Sequence, residues 1–339
     1  MKFVLMGTGN ISETYVNAVD NLEEAEITAV VSRNEERAES YARQNGIPRF
    51  GDSLAAISCD YEAVIVATPN GLHHKGAVSA AGLGKHVLVE KPLDITPGNM
   101  DKMITACDEA GVKLGVCFQR RLHETNIAIK NLLDRGAFGE IYAIDLPLKF
   151  YRGQSYYDSG AWRGTAELDG GGPFMQQGSH DIDLLGWLFG MPEKVFAKTG
   201  TFGHSDIDVE DHGAAILELK DGAICTITAS TIAKPGFSPR LDVFTEKGTF
   251  SLENDSLVLW QIDGVERPAC LDSDCDQKHN AATSAKVTDT SGHEAIIKDF
   301  ISAVEQDHKP TVSGERARVT TDLILSIYRS AREGKEIVL

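Results

Sequence analysis

The first 119 residues alternate short apolar runs with helical patterns, and this rhythm constrains the fold more than any other feature of the chain. Five runs read as buried strands: KFVLMG, EITAVVS, YEAVIVATP, KHVLVEKP and VKLGVCFQ. Helical segments separate them, and several of these end in glycine. Continuous apolar strands joined by helices are typical of a parallel sheet that is covered on both faces. The pattern predicts a doubly wound α/β domain over residues 1–119.

The rhythm changes after Gln119 and predicts a second domain over residues 120–339. A helix and a strand are followed by a polar, aromatic loop, and from Val195 several strand patterns follow one another. The segments LKDGA and TEKGT are typical hairpin turns. Two helices, near 292–306 and 315–333, close the chain. The second domain is therefore expected to be α+β, with a large, open and mostly antiparallel sheet.

Composition excludes several classes of protein. The net charge is −17, and such a surface repels nucleic acid and anionic membranes. No apolar run reaches the roughly 18 residues of a membrane-spanning helix, and the first apolar run is too short for a signal peptide. The six cysteines form no CxxC pair and no metal-type cluster, which favours reduced thiols in a cytoplasm and no metal. A disulfide between Cys270 and Cys275 stays open as an alternative.

The first strand is followed by Gly7-x-Gly9-x-x-Ser12 and then by a helix. In this context Gly7 permits a tight turn, and Gly9 lets the main chain approach a pyrophosphate at the helix N-terminus. Ser12 stands where glycine or alanine is usual, and it is small enough for close packing. The segment predicts a dinucleotide site.

The end of the second strand bears on the choice of dinucleotide. An acid there would bind the ribose 2′-hydroxyl of NAD, but this chain has Ser32 followed by Arg33. A hydroxyl and a guanidinium suit a 2′-phosphate, with Arg37 one helical turn further on. The sequence therefore favours NADP(H), with NAD(H) as the alternative if Arg33 is only a solvated residue or stacks on adenine.

Glu90, Lys91 and Pro92 follow a buried strand. A lysine at the carboxyl end of a parallel strand lies where such folds bind ligands, and it can exchange a proton with a substrate hydroxyl. Pro92 removes a donor and can hold the preceding bond in cis. The alternative is a structural Glu–Lys pair at a domain hinge.

A second polar constellation lies in LDGGGPFMQQGSHDIDLLGW. Three glycines allow close main-chain approach, and Pro173 suits a first helical turn. On the expected helix Gln176, His180, Asp183 and Trp187 share one face. Asp183 can hold His180 in one tautomer, so that His180 accepts or delivers a proton. A metal pair and a buried core histidine are the alternatives.

Together these motifs resemble the Gfo/Idh/MocA superfamily of glucose–fructose oxidoreductases and inositol dehydrogenases. The segments that carry the resemblance are GTGNIS, ATPNGLHHKGAVSAAGLGKHVLVEKPL, GGGPFMQQGSHDIDLLGWLFG and residues 293–337, and the resemblance covers almost the whole chain. The family implies a Rossmann domain followed by an α/β domain with an open antiparallel sheet. It also implies hydride transfer between NAD(P) and a sugar, a cyclitol or a related carbonyl compound.

The resemblance assigns roles to individual residues. Lys91 and His180 match the catalytic lysine and histidine. The implied cofactor contacts are Gly7, Thr8, Gly9, Asn10, Ile11, Ser32, Arg33, Arg37, Thr68, Pro69, Asn70, His73, Glu90, Lys91 and Gln119. The implied substrate contacts are Lys91, Arg120, Tyr157, Trp162, Arg163, Gln176, His180 and Asp183.

One position departs from the family pattern. Many polyol-oxidising members carry aspartate four residues before the histidine, whereas this chain has Gln176, whose amide cannot accept a proton. Lys91 and His180 are then left to share proton transfer. The aromatic loop YRGQSYYDSGAWRGT resembles a substrate-side loop of some members, and interface packing is its alternative role.

The sequence thus predicts an NADP(H)-preferring sugar or cyclitol dehydrogenase or reductase. A redox-assisted glycosidase and a dinucleotide-sensing regulator are the alternatives. Alternating apolar residues in AAILEL, AICTITA and RLDVF predict an exposed sheet face that forms a homodimer or homotetramer.

Overall fold

The computed structural model describes residues 1–268 and 289–339. Within them the chain divides into two compact units, one of residues 1–119 and 289–318 and the other of residues 120–268 and 319–339. Residues 289–318, which the sequence placed in the second domain, therefore pack with the first. The proposed Cys270–Cys275 disulfide lies outside the described residues.

The first unit is built on a six-stranded parallel sheet with the strand order β3-β2-β1-β4-β5-β6. Its strands are β1 (Lys2–Met6), β2 (Glu26–Val31), β3 (Phe50–Gly51), β4 (Ala63–Val66), β5 (His86–Val89) and β6 (Leu114–Val116). The five apolar runs of the sequence form β1, β2, β4, β5 and β6, which confirms the α/β prediction. β3 is only two residues long and has no recognisable pattern.

Helices cover this sheet. They are α1 (Asn10–Asp20), α2 (Glu35–Gln44), α3 (His73–Gly82), α4 (Pro97–Glu109) and α8 (Ser291–Glu305). Thr96 caps α4 by accepting a hydrogen bond from the Asn99 main-chain N–H, and Pro97 opens the helix. Most apolar side chains of β1, β2, β4, β5 and β6 are buried, as expected for a parallel sheet with helices on both faces.

The second unit is built on an eight-stranded sheet with the order β13-β12-β11-β7-β10-β9-β8-β14. Its strands are β7 (Ile141–Lys149), β8 (Lys194–Gly200), β9 (His212–Glu218), β10 (Ile224–Ser230), β11 (Arg240–Thr245), β12 (Gly248–Glu253), β13 (Ser256–Ile262) and β14 (Ile337–Val338). Among the described strands of this sheet, β7 and β10 are the one parallel pair. The mostly antiparallel open sheet of the sequence analysis is confirmed, and the short β14 is an addition.

The second unit also contains helices, and three of them pack with the strands in one core. The helices are α5 (Glu124–Asp134), α6 (Gln154–Asp158), α7 (Ser179–Phe189) and the part of α9 (Gly314–Glu333) that follows residue 318. Ile129, Ile182 and Ile324 from three of these helices join the buried side chains of the strands in one apolar core. No helix among the described residues is long and apolar enough to cross a membrane.

Candidate active site

The loop between β1 and α1 contains two glycines. A side chain would not fit at the first, and it would meet no other protein atom at the second. Gly7 has φ of +120°, and a Cβ there would lie 2.3 Å from the carbonyl oxygen of Ala67. At Gly9, the N-cap of α1, a Cβ would meet nothing within 4 Å. Gly9 and Asn10 are exposed, and Thr8 and Ile11 are half-buried. The start of α1 is therefore accessible to an anion such as a pyrophosphate.

Two arginines near the end of β2 differ in their surroundings. Arg33 is exposed directly after the half-buried Ser32. Arg37 Nη2 instead donates to the carbonyl oxygen of Thr8 at 3.1 Å, so α2 is tied to the glycine loop. Asn34 caps α2 by accepting from the Arg37 main-chain N–H at 2.7 Å. Arg33 is thus the more accessible of the two arginines to a ligand. Arg37 holds α2 to the glycine loop, a contact that the sequence did not indicate.

His73 does not present its ring to a ligand. The residue is fully buried, with Nδ1 at 2.8 Å from the carbonyl oxygen of Pro92 and Nε2 at 2.9 Å from that of Thr68. Burial lowers the pKa of the imidazole. His73 therefore bridges the loops that follow β4 and β5, which corrects the expectation that it lines the nicotinamide side. Pro69 and Asn70 follow Thr68 in the first of these loops.

Glu90 and Lys91 follow β5 directly, and the Lys91–Pro92 bond is cis. The Glu90 side chain is buried, and it accepts hydrogen bonds from the Lys91 main-chain N–H and from the Tyr15 hydroxyl, both at 3.0 Å. Glu90 thus turns towards the interior, while Lys91 is half-buried. The contact of Glu90 with a dinucleotide therefore stays a prediction, and the described contacts of its carboxylate are within the protein.

One group of metal-type side chains occurs among residues 1–268 and 289–339. Donor atoms of Glu90, Cys117 and His293 lie within 4.8 Å of one another, and all three residues are buried. His293 Nε2 is 3.4 Å from Glu90 Oε1. Since Glu90 also accepts from Tyr15 and Lys91, these contacts form a hydrogen-bonded network within the protein.

The cofactor-type residues of the first unit share one edge of its sheet. Parallel strands end on the same side, so the loops after β1, β2, β4, β5 and β6 open there. Gln119 follows β6, and its side chain packs against Gly292, where a Cβ would be 2.6 Å from Gln119 Cγ. The strand order reverses between β1 and β4, and open α/β sheets bind ligands at such a point.

His180 lies in the first turn of α7, but this helix starts later than the sequence suggested. Residues 173–177 form turns, and α7 begins at Ser179. Pro173 is therefore not in the first helical turn, and Gln176 does not share a helical face with His180. His180 and Gln176 are both half-buried.

Asp183 has partners other than the ones expected. Its side chain is fully buried, and Arg121 binds it with two hydrogen bonds, Nε to Oδ2 at 2.8 Å and Nη2 to Oδ1 at 2.6 Å. The Thr320 hydroxyl also donates to Oδ1, at 2.6 Å. Asp183 therefore anchors α7 through Arg121 and Thr320, which replaces the hypothesis that it orients His180 or contacts substrate.

Arg120 is likewise held by carboxylates. Its Nε donates to Asp255 at 2.7 Å, and its Nη1 binds Asp181 on α7. Asp255 follows Asn254 in the turn between β12 and β13, where both residues have positive φ. Because the buried Asp181 and the half-buried Asp255 both bind its guanidinium, Arg120 helps to hold α7.

The three-glycine run before α7 packs against the protein itself. A Cβ on Gly171 would lie 2.2 Å from the Tyr328 hydroxyl, and one on Gly172 would lie 1.8 Å from the Glu210 carbonyl oxygen. The buried Glu210 carboxylate accepts from the Gly172 N–H at 2.9 Å and from the Tyr328 hydroxyl at 2.8 Å. Burial raises the pKa of Glu210. The close approach allowed by these glycines is therefore to Glu210 and Tyr328.

The aromatic loop divides into an inner and an outer part. Tyr157 is buried, and its hydroxyl is 3.0 Å from that of Thr231, so it supports the loop rather than offering a face for stacking on a sugar. The Arg163 guanidinium lies over two aromatic rings, with Cζ 4.3 Å from the ring centroid of Tyr156 and 4.7 Å from that of Trp162. Trp162 and Arg163 are half-buried and remain candidates for substrate contact.

Sequence reasoning missed the residues that hold these segments in place. They are Tyr15, Cys117, Arg121, Asp181, Glu210, Asp255, His293, Thr320 and Tyr328. The one signal for these residues in the sequence was the two arginines of QRRL and the two aspartates of SHDID, which pair with each other. The other residues contact partners that are distant in the sequence.

Family models match both halves of the chain. The model described as "Oxidoreductase family, NAD-binding Rossmann fold" matches residues 1–118. The model described as "GFO/IDH/MocA C-terminal domain" matches residues 127–251.

Individual proteins are similar over nearly the whole length. Inositol 2-dehydrogenase of Rhizobium meliloti is 26% identical and covers 99% of this chain and 98% of its own. D-xylose 1-dehydrogenase (NADP(+)) 2 of Haloferax volcanii is 27% identical over 100% of both. The solved WlbA dehydrogenase of Bordetella pertussis, in complex with NADH and UDP-GlcNAcA, is 32% identical with a TM-score of 0.87, and the match covers 100% of this chain and 98% of that one. The chain belongs to the Gfo/Idh/MocA family of oxidoreductases.

Proposed function

We propose that the protein transfers a hydride between a nicotinamide dinucleotide and a CH–OH or carbonyl carbon of a sugar or cyclitol. The observation that carries the proposal is the common sheet edge of the first unit, where the open Gly9 at the start of α1 and Lys91 after β5 both lie. The named activities of the inositol and xylose dehydrogenases support this class of substrate.

The residues of the first unit fit a dinucleotide. The main chain at Gly9 and Asn10 is exposed at a helix N-terminus, where the N–H groups and the helix dipole favour a pyrophosphate. Ser32 and Arg33 follow β2 without an intervening acid. A guanidinium in this position would pair with a 2′-phosphate, so we expect a preference for NADP(H) over NAD(H).

Proton transfer is assigned to Lys91 and His180. The bound nicotinamide supplies the hydride acceptor or donor. Lys91 exchanges a proton with the reacting hydroxyl or carbonyl oxygen, and His180 shares this task because the amide of Gln176 cannot. Trp162, Arg163 and Gln176 are the proposed substrate contacts of the second unit, since all three are half-buried.

The open face of the eight-stranded sheet is the proposed oligomer interface. Large apolar side chains on β8, β9, β10 and β11 are exposed, namely Phe196, Ile216, Ile224 and Phe244. Phe196 and Ile216 are directly opposite each other on paired strands. A second copy of the chain would cover this face, giving a homodimer or homotetramer. Because the described cysteines are all free thiols, the proposed location is the cytoplasm.

The decisive experiment follows absorbance at 340 nm with NADP⁺ and NAD⁺ across a panel of sugars, cyclitols and glycosides, and with NADPH and NADH for the matching ketones. Net dinucleotide turnover with at least one polyol or ketone is expected. Release of an aglycone without net turnover would instead identify a redox-assisted glycosidase. Tight dinucleotide binding with no chemistry on any substrate would favour a sensing role.

A further inference from the structure

A buried charged network lies behind the peptide that joins Glu90 to Lys91. Its members come from α1, the loops after β5 and β6, and α8, and all belong to the first unit: Tyr15, Glu90, Cys117 and His293. Each is less than 9% exposed. The Tyr15 and His293 rings meet edge to face with centroids 5.1 Å apart.

The Glu90 carboxylate connects the two sides of this network. Oε1 accepts from the Tyr15 hydroxyl at 3.0 Å and lies 3.4 Å from His293 Nε2. Oε2 accepts the main-chain N–H of Lys91 at 3.0 Å. Interior donors therefore determine the orientation of the carboxylate, and the carboxylate in turn holds the main chain of Lys91.

The charges within the network are complementary. Burial alone would lower the pKa of His293, but the Cys117 sulfur and the Glu90 carboxylate beside it raise this pKa to about 10. Burial raises the pKa values of the Tyr15 hydroxyl and the Cys117 thiol. An imidazolium thus faces the carboxylate in the interior, where an ion pair with hydrogen bonds has a defined geometry.

We propose that Tyr15 and His293 are positioning residues for Lys91 and act through Glu90. The inference rests on the proposed role of Lys91 in proton transfer. A catalytic amine loses efficiency when its attachment point moves, and a displacement of about 1 Å can cost roughly 100-fold in rate. The network holds the main chain of Lys91 from within the domain. Tyr15 and His293 contact Glu90, and their proposed role needs no contact with substrate or cofactor.

Two variants separate positioning from general stability. His293→Gln removes the charge, and Tyr15→Phe removes only a hydroxyl and is the milder change. We expect kcat to fall about 10- to 100-fold in each, with dinucleotide Kd and substrate KM changed less than about 3-fold. The matched control is His86→Gln, because His86 stands at the other end of β5 and accepts from the Lys113 main-chain N–H at 3.0 Å. We expect His86→Gln to keep kcat within about 3-fold even if its thermal midpoint falls.

A second measurement tests the ion pair without any assay of turnover. In protein labelled with ¹³C at the histidine Cε1, the His293 signal should keep the chemical shift of an imidazolium from pH 6 to 8.5, and a constant shift of the neutral ring would overturn the ion pair. In Glu90→Gln it should titrate in this range or already be neutral. Titration of native His293 near its ordinary pKa would overturn the inference, as would unchanged kcat in His293→Gln or a stoichiometric metal in the purified protein. If native protein turns over no dinucleotide, the proposed function fails, and the titration still decides whether the network is charged.

Discussion

Arg121 binds both carboxylate oxygens of Asp183 inside the second unit, and the two side chains are 5% and 0% exposed. Removing one partner of such a buried pair leaves the other charge in a poorly solvated place. We expect Asp183→Asn to lower the free energy of unfolding by about 3–5 kcal/mol. The double variant Arg121→Met, Asp183→Leu should recover part of this loss because neither charge remains. Urea unfolding measures both, and a loss below about 1 kcal/mol for Asp183→Asn would show that the pair behaves like a surface contact.

The two glycines of the first loop should respond in opposite ways. Gly7→Ala places a Cβ 2.3 Å from the Ala67 carbonyl oxygen at positive φ, so stability should fall by at least roughly 1–3 kcal/mol. Gly9→Ala meets no protein atom within 4 Å, so stability should change by less than about 1 kcal/mol. Dinucleotide Kd should nevertheless rise about 10-fold or more in Gly9→Ala, a change of roughly 1.4 kcal/mol. Thermal unfolding and quenching of tryptophan fluorescence are the measurements, and unaltered binding in Gly9→Ala would remove the pyrophosphate from this loop.

Arg33 is the proposed determinant of cofactor choice. Arg33→Ala should weaken NADPH binding by about 1.5–3 kcal/mol, the range for a hydrogen bond to a charged group, and leave NADH binding nearly unchanged. Arg43→Ala is the control because Arg43 is also exposed on the first unit and pairs with Glu39 on α2. Calorimetric titration with both dinucleotides distinguishes the cases. Equal losses for NADPH and NADH would refute the assignment.

Lys91 and His180 are expected to act on the chemical step. Lys91→Met keeps most of the volume of the side-chain stem and removes its charge, and turnover should fall roughly 10²- to 10⁴-fold with dinucleotide binding retained. His180→Asn should have a similar effect, and the double variant should lose less than the product of the two because the residues act as a unit. Steady-state kinetics and dinucleotide binding test this. If Lys91→Met unfolds the protein while the remaining folded fraction turns over normally, Lys91 is structural.

The exposed apolar residues of the large sheet should determine the oligomeric state. Ile216 is 53% exposed on β9, so Ile216→Glu would place a charge in the proposed interface. Light scattering at micromolar concentration should show an oligomer for the native chain and a monomer for this variant. Val78→Glu is the control because Val78 is 38% exposed on α3 of the other unit. A native monomer would contradict the assignment of this face.

Local patterns predicted the architecture because strands and helices leave periodic signals. The five apolar runs became strands of the parallel sheet, and Thr96 and Pro97 opened α4 as their residue types indicate. The predicted start of α7 was wrong. The segment from Pro173 forms a series of turns and not a first helical turn, because Glu210, more than 30 residues away, binds its main chain.

Side-chain roles were harder to predict for the same reason. His73, Arg120, Tyr157 and Asp183 have residue types suited to a ligand, and a sequence does not show whether such a group faces a ligand or the interior. Their partners, such as Arg121 and Thr320 for Asp183, are separated from them by 62 and 137 positions. Pairings of this kind leave no periodic trace.

The packing of Gly171 and Gly172 against Tyr328 and Glu210 limits how this protein can be redesigned. Because even a methyl group at either glycine would overlap the Tyr328 hydroxyl or the Glu210 main chain, libraries that randomise the glycine run would consist mainly of misfolded members. Trp162, Arg163 and Gln176 are half-buried and lie outside the glycine run. A search for altered substrate preference is therefore best confined to these three positions, with the glycine run and its two partners kept as they are.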